Sequence, residues 1–211
     1  MMDIEILYRD KWLVACIKPA GVLSEEGGMP ELLRRQLGCR EVFCVHRLDR
    51  AVSGVMVYAL NRDAAARLSQ LIAERNLEKS YLAVIQGCPA EPAGTMRDLL
   101  FKDSAKGKSY VVRRMRGGVK EAALEYALLG RREELSLVRI KLLTGRSHQI
   151  RVQFSSRGMP LVGDVKYGSR YKGGGLALWS ASLGFTHPFT GRPFEASAPP
   201  PATWPWTEFN P

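Results

Sequence analysis

His46-Arg47-Leu48-Asp49-Arg50 places four ionisable side chains in five positions, directly before the apolar run of residues 54–60. That run has the length and composition of a buried strand. An aspartate is a carboxylate at neutral pH. Mounted at the edge of a strand, it can act at the sugar carbon of a glycosidic bond. The plainer reading is a local salt bridge with Arg47 or Arg50.

Two further stretches hold candidate chemistry. In residues 143–151, Leu-Thr-Gly-Arg-Ser-His-Gln-Ile-Arg, Arg151 is flanked by apolar neighbours, where a guanidinium needs a carboxylate partner. Apolar alternation at Ile150, Val152 and Phe154 reads as a strand, whereas Ser147 as a cap and Gly158 as a stop read as a helix. Tyr81 enters an otherwise aliphatic strand, a setting in which most tyrosines are core residues with a satisfied hydroxyl.

Phosphate-binding and dinucleotide-binding glycine turns are missing, as are the H-E-x-x-H and G-x-S-x-G motifs. The four cysteines at 16, 39, 44 and 88 form no C-x-x-C pair, and the three histidines do not group with them, so zinc-site spacing is absent. No apolar run reaches the length of a membrane span, and the start, Met-Met-Asp-Ile-Glu, is acidic where an export signal is basic. A cytoplasmic protein with free thiols is the expectation. Thirty-one Lys and Arg against 21 Asp and Glu leave a formal charge of +10 over 211 residues, which favours a polyanionic partner. Residues 104–120 carry six positive charges and no negative one. Lys106, Lys108, Arg113, Arg114 and Arg116 there are candidates for contact with a nucleic-acid backbone, on a loop or hairpin projecting from a sheet, with a solvated mobile loop as the plainer alternative.

The elements that position these residues follow from period and punctuation. Short strands are expected at 4–7 and 13–17, and a short helix near 31–37. An amphipathic helix should open at the N-cap Asn61, present Ala65, Leu68, Leu71 and Ile72, and keep Arg75 in its last turn. Strands are expected at 79–86, 122–129, 135–142, 177–185 and 193–196. Strands outnumber helices without alternating with them. The fold class expected is α+β, a mixed, mostly antiparallel central sheet flanked by helices. One domain should span 1–211, ending in a proline-rich tail, residues 199–211, which Trp204 and Trp206 pin back. No heptad or apolar stripe calls for an oligomer, so a monomer without an obligatory protein partner is expected.

Taken in order, "VHRLDRAVSG", "EKSYLAVIQG", "TGRSHQIRVQFSSRGMPLVGDVKYG" and "LGFTHPFTGRPFEASAP" resemble the motifs of the RluA-type RNA pseudouridine synthases. "IKPAG" at 17–21 looks like that family's opening motif. The resemblance runs from about Ile6 to Pro199 and implies the pseudouridine synthase catalytic fold. It implies an isomerase that turns uridine into pseudouridine in ribosomal or transfer RNA without any cofactor. Asp49 matches the family's catalytic aspartate, Arg151 the buried arginine that holds that aspartate ionised and oriented, and Tyr81 the tyrosine stacked on uracil. Leu178 matches the apolar floor of the base pocket. The nucleotide must be flipped out of its helix to be reached, and Arg47 is the side chain expected to fill its place or hold the backbone.

Three departures accompany the resemblance. Ala51-Val52 stand where the family has an acidic residue and threonine, Trp179-Ser180 where it has histidine-alanine, and Gly173-Gly174-Gly175 where an arginine commonly precedes the strand. The small N-terminal RNA-binding domain of many relatives is not expected, since about five residues precede the first matching strand. Two other readings remain open here. One is an RNA-binding chaperone that has lost the reaction. The other is a nucleoside or glycoside hydrolase pairing Asp49 with a second carboxylate such as Asp164, which otherwise reads as part of a turn.

Overall fold

The computed structural model describes residues 2–209; the last two residues of the expected tail lie outside the described residues. In chain order the elements are β1 (Ile6–Arg9), β2 (Leu13–Lys18), α1 (Met29–Leu37), β3 (Phe43–Cys44), β4 (Ser53–Ala59), α2 (Arg62–Ala73) and β5 (Glu78–Gln86). There follow β6 (Ala93–Asp103), β7 (Lys108–Val112), β8 (Val119–Arg132), β9 (Leu135–Leu142), α3 (Gln149–Ser155), β10 (Leu178–Thr186) and β11 (Pro193–Ser197). The class is α+β, with mixed and mostly antiparallel strands, as expected. Two compact units divide the chain, residues 1–79 with 179–200, and residues 80–178 with 201–211.

In the first unit the strand order is β1-β2-β4-β10, with β3 on β4 and β11 on β10. Pairing is antiparallel except between β4 and β10, which run parallel. Leu13, Ala15, Val55, Val57, Leu183 and Phe185 form the core with Ala64 and Leu68 of α2. Asn61 caps α2 as expected, its side chain accepting from the Ala64 N–H at 2.9 Å. Arg75 corrects the expectation. It lies beyond the helix at φ 62°, with the Asn76 N–H returned to the Leu71 carbonyl, so an arginine takes the left-handed position where glycine is usual.

Gly54 shows why β4 begins as it does. At φ 121° it lies so close to β10 that an added Cβ would stand 2.4 Å from the Ser180 carbonyl oxygen. The departures from the family pattern have local accounts. The Ser180 hydroxyl donates to the Val55 carbonyl at 3.0 Å, and the Trp179 indole N–H donates to the Ala198 carbonyl at 2.9 Å. Val52 is buried, and its N–H closes a turn on the Asp49 carbonyl at 2.9 Å.

The second unit has the antiparallel order β5-β9-β8-β6-β7. Residues 150–154 are helical, and residues Gln149 to Phe154 are all buried. A helix wrapped by core on all sides carries no amphipathic period, which is why alternation imitated a strand. Ser147 is not the cap; His148 holds that place at φ 54°. No side chain caps the helix, and the Gln149 side chain instead ties the preceding loop to β8. Its Oε1 accepts from the Arg146 N–H at 3.0 Å and the Thr144 hydroxyl at 2.8 Å, and its Nε2 donates to the Ala123 carbonyl at 3.0 Å.

β6 was not expected from the sequence, because Asp98 and Arg97 break its apolar alternation. Asp98 faces α3 and accepts from Gln153 at 2.7 Å and Arg157 at 2.9 Å, a polar position on the core side. Gly163 is passed so closely by the triple glycine that an added Cβ would lie 1.7 Å from the Gly175 carbonyl oxygen. In the tail Trp206 is buried, whereas Trp204 is 40% exposed with its ring 5.5 Å from that of Tyr171. Among the described residues no helix is long and apolar enough to cross a membrane.

Candidate active-site residues

Asp49 lies in the connection between β3 and β4, partly buried, one turn ahead of the strand that enters the core. The same unit supplies a residue that sequence reasoning missed. Lys18, at the end of β2, is fully buried, and its ammonium donates to the carbonyls of Pro19 at 2.9 Å, Val22 at 2.9 Å and Arg50 at 3.3 Å. Three carbonyls match the three N–H donors of an ammonium. They tie the segment bearing Asp49 to the loop after β2. Burial pulls the Lys18 pKa down from 10.5 to about 8, against an upward pull from the Asp49 charge. No local pattern marks it, because the three carbonyls come from residues 19, 22 and 50.

His46 is buried and its Nε2 accepts from the Val57 N–H at 3.2 Å. Burial and the nearby Lys79 hold its pKa well below the ordinary value, so the ring is neutral and carries its proton on Nδ1. Among the described residues no acceptor meets that Nδ1. The Ser24 hydroxyl accepts from the Leu48 N–H at 3.0 Å and donates to the Leu48 carbonyl at 2.9 Å, fixing the backbone next to Asp49. Arg47 is exposed and pairs with Glu25 at 2.9 Å, a solvated contact that contributes little to stability.

In the second unit Tyr81 is buried on β5, opposite Ile140 of β9. Leu178, at the head of β10, is buried as well. Arg151 of α3 has the carboxylate its apolar flanks require. Asp164 accepts from its Nε at 2.7 Å and its Nη2 at 2.8 Å, with both side chains almost wholly buried. This fork fixes the guanidinium plane. Sequence reasoning saw Asp164 as part of a turn. It is that too, its carbonyl accepting from the N–H groups of Tyr167 and Ser169 at 3.0 Å each. The spacing between 151 and 164, across a loop, hid the pair.

The basic segment 104–120 is a hairpin continued by a crossover. Residues 104–107 turn between β6 and β7, and residues 113–118 carry the chain back to β8 on the far side of β6. The Arg116 guanidinium rests over the Phe101 ring, 5.2 Å from its centroid, while Arg113 and Arg114 are exposed. Lys106 is exposed in the turn and Lys108 half-buried at the start of β7. The hairpin is anchored, since the Lys166 ammonium donates to the Gly107 carbonyl at 2.7 Å and the Ser109 hydroxyl to the Ser147 carbonyl at 2.7 Å.

Comparison with known proteins shows the family. A family model described as RNA pseudouridylate synthase matches residues 12–156. The tRNA pseudouridine synthase C of Salmonella typhi is 33% identical, over 95% of this chain and 87% of its own. The ribosomal large subunit pseudouridine synthase C of Pasteurella multocida is 30% identical, over 94% of this chain and 65% of its own. Among solved structures, human RNA pseudouridylate synthase domain containing 1 superposes with a TM-score of 0.80 at 26% identity, covering 95% of this chain and 85% of that one. The chain belongs to the RNA pseudouridylate synthase family. Its enzyme class is that of an isomerase.

Proposed function

We propose that this chain converts uridine to pseudouridine within transfer or ribosomal RNA, with Asp49 as the group acting at the ribose of a flipped-out nucleotide. Relatives named for each RNA class cover most of the chain, so both substrates stand. The observation that carries the reading is the mounting of Asp49. Its backbone is pinned on one side by Ser24 and on the other by the buried Lys18 ammonium, whose charge lies within electrostatic reach of the carboxylate. A carboxylate so fixed meets the ribose without reorganising.

The bond between ribose C1′ and uracil N1 breaks, and N1 keeps its electron pair. Asp49 either attacks C1′ to give an ester or assists loss of the ribose C2′ proton to give a glycal. The detached ring turns and C5 joins C1′, which breaks the ester bond to Asp49 or, on the glycal route, is accompanied by return of the proton to C2′. The C5 hydrogen then leaves as a proton and N1 takes one up. Atoms and charge balance with no oxidant or other reactant. Tyr81 stacks on the uracil, Leu178 floors its pocket, Arg151 orients the carboxylate, and Arg47 exchanges Glu25 for RNA. Taking a base out of its stack requires a few kcal/mol. The basic hairpin supplies phosphate contacts with Lys106, Lys108, Arg113, Arg114 and Arg116. The whole chain acts as one catalytic domain in this reading, and as a monomer in the cytoplasm.

The hydrolase alternative loses support from Asp164. Both of its oxygens accept from Arg151, so it is poorly placed to give a proton to a leaving group. Nucleoside analysis of reacted RNA separates the readings. Pseudouridine with no free uracil is expected; free uracil with an abasic ribose would contradict the proposal.

A further inference from the structure

Tyr167 lies where the basic hairpin and the Arg151 helix come together in the second unit. Its ring carries two cations. The Arg151 guanidinium carbon and the Lys108 ammonium each stand 5.0 Å from the ring centroid. Its hydroxyl accepts from the Ser109 N–H at 2.8 Å, and stands 2.8 Å from His148 Nδ1 and 3.2 Å from the Ser109 carbonyl. A phenol has one proton to give and two lone pairs to fill. The hydroxyl is thus held by β7 and by His148 at once.

The contacts have a direction. Ser109 lies on β7, the edge strand beyond β6, and its N–H and carbonyl both turn away from β6 towards Tyr167. The edge at that point is closed by one side chain instead of another strand. Tyr167 also follows Asp164 by three residues, and its N–H donates to the Asp164 carbonyl at 3.0 Å. The Ser155 hydroxyl of α3 donates to the Tyr167 carbonyl at 2.6 Å. A displacement of Tyr167 therefore moves the carboxylate fork and the aromatic face that together orient Arg151.

We infer that Tyr167 is a positioning residue that couples contact between the RNA backbone and Lys108 to the orientation of Arg151. This rests on the reading above, in which the hairpin binds RNA and Arg151 serves the reaction. Two like charges on one ring repel, and each weakens the other's hold on the negative face. A phosphate at Lys108 neutralises one of them and strengthens the seat of the other. The backbone adds a mechanical route, because Lys108 and Ser109 are neighbours and Ser109 is bonded to the Tyr167 hydroxyl. RNA held on the hairpin thus tightens the arginine before chemistry begins, and a partly bound RNA leaves it loose.

The test measures single-turnover release of tritium from carbon 5 of uracil at saturating RNA, with RNA affinity measured alongside. Lys108→Gln should weaken binding and also slow the saturated step about tenfold, the size of effect expected from a small misplacement. Lys108→Arg, which keeps the cation, should restore both. Tyr167→Phe keeps the ring but removes the hydroxyl, and should slow the step about tenfold with affinity unchanged. The double variant should be no slower than the slower single one, since both remove the same link. A Lys108→Gln defect confined to affinity would overturn the inference, as would defects that multiply to about a hundredfold in the double variant. Lys108 is half-buried and its replacement decides the matter even where Tyr167→Phe fails to fold. Absence of tritium release from the unaltered protein would instead overturn the functional reading, and the inference with it.

Discussion

Lys18 buries its charge against three carbonyl oxygens, and the cost of that desolvation is visible in a pKa pulled down to about 8. The consequence for pH runs in opposite directions for activity and for stability. The group ordinarily titrates at 10.5, so between about pH 8 and 10.5 the folded chain has given up a proton that the unfolded chain retains. The unfolded state binds more protons there, and folding stability from this group rises with pH. Activity should fall over the same rise, because the cation beside Asp49 disappears. A single-turnover rate profile should therefore bend down near pH 8 without a matching drop in melting temperature. Lys79 is also drawn to about 8 by burial. The bend should persist in Lys79→Met; its disappearance there would assign it to the wrong lysine. At this scale Asp49 and Arg151 were marked out by sequence, because charge beside apolar residues demands an explanation. Lys18 was not, and Asp164 was read only as a turn residue or a second carboxylate, because a carbonyl cage and an ion pair thirteen positions apart leave no local pattern.

Elements were legible where one face met solvent. The cap at Asn61 and Leu68 of α2 could be read directly, though buried Ala64 was missed and Ile72 lies off the core cluster. The β9 limits match the expectation, since each of these two elements has a polar edge that sets its period. α3 was ambiguous because burial on every side erases the period. β6 was missed because Asp98 sits on its core face as a partner for α3. The junction of β4 and β10 makes the sharpest prediction at this scale. Gly54→Ala would force a Cβ against the Ser180 backbone at a φ that side chains avoid. It should destabilise the protein by about 2 kcal/mol or more. A denaturant midpoint unchanged from that of the parent would show that the approach is looser than described.

For the whole molecule, a +10 charge announced a polyanion but not where it binds. The hairpin concentrates that charge on an anchored edge, with Arg113 and Arg114 exposed on the crossover and Lys106 in the turn. Reversing these three to glutamate should weaken RNA binding and flatten its salt dependence, by about 0.7 in the log–log slope for each phosphate no longer neutralised. An unchanged slope would remove the hairpin from the interface. The two compact units were not legible. The first is assembled from residues 1–79 and 179–200, so no linker or shift in composition separates it from the second. RNA chemistry was legible in the sequence only through motifs in a fixed order, since the individual residues each admit an ordinary structural role.

The proposed reaction turns on Asp49. The most direct measurement uses cellular RNA lacking this modification and labelled with tritium at carbon 5 of uracil, incubated with the parent protein and with Asp49→Ala. Joining carbon 5 to the ribose expels that hydrogen. Tritium should reach water with the parent protein alone, while the variant still binds RNA. Equal release by both would contradict the role of Asp49, and release by neither, with RNA bound, would favour a protein that binds RNA without changing it.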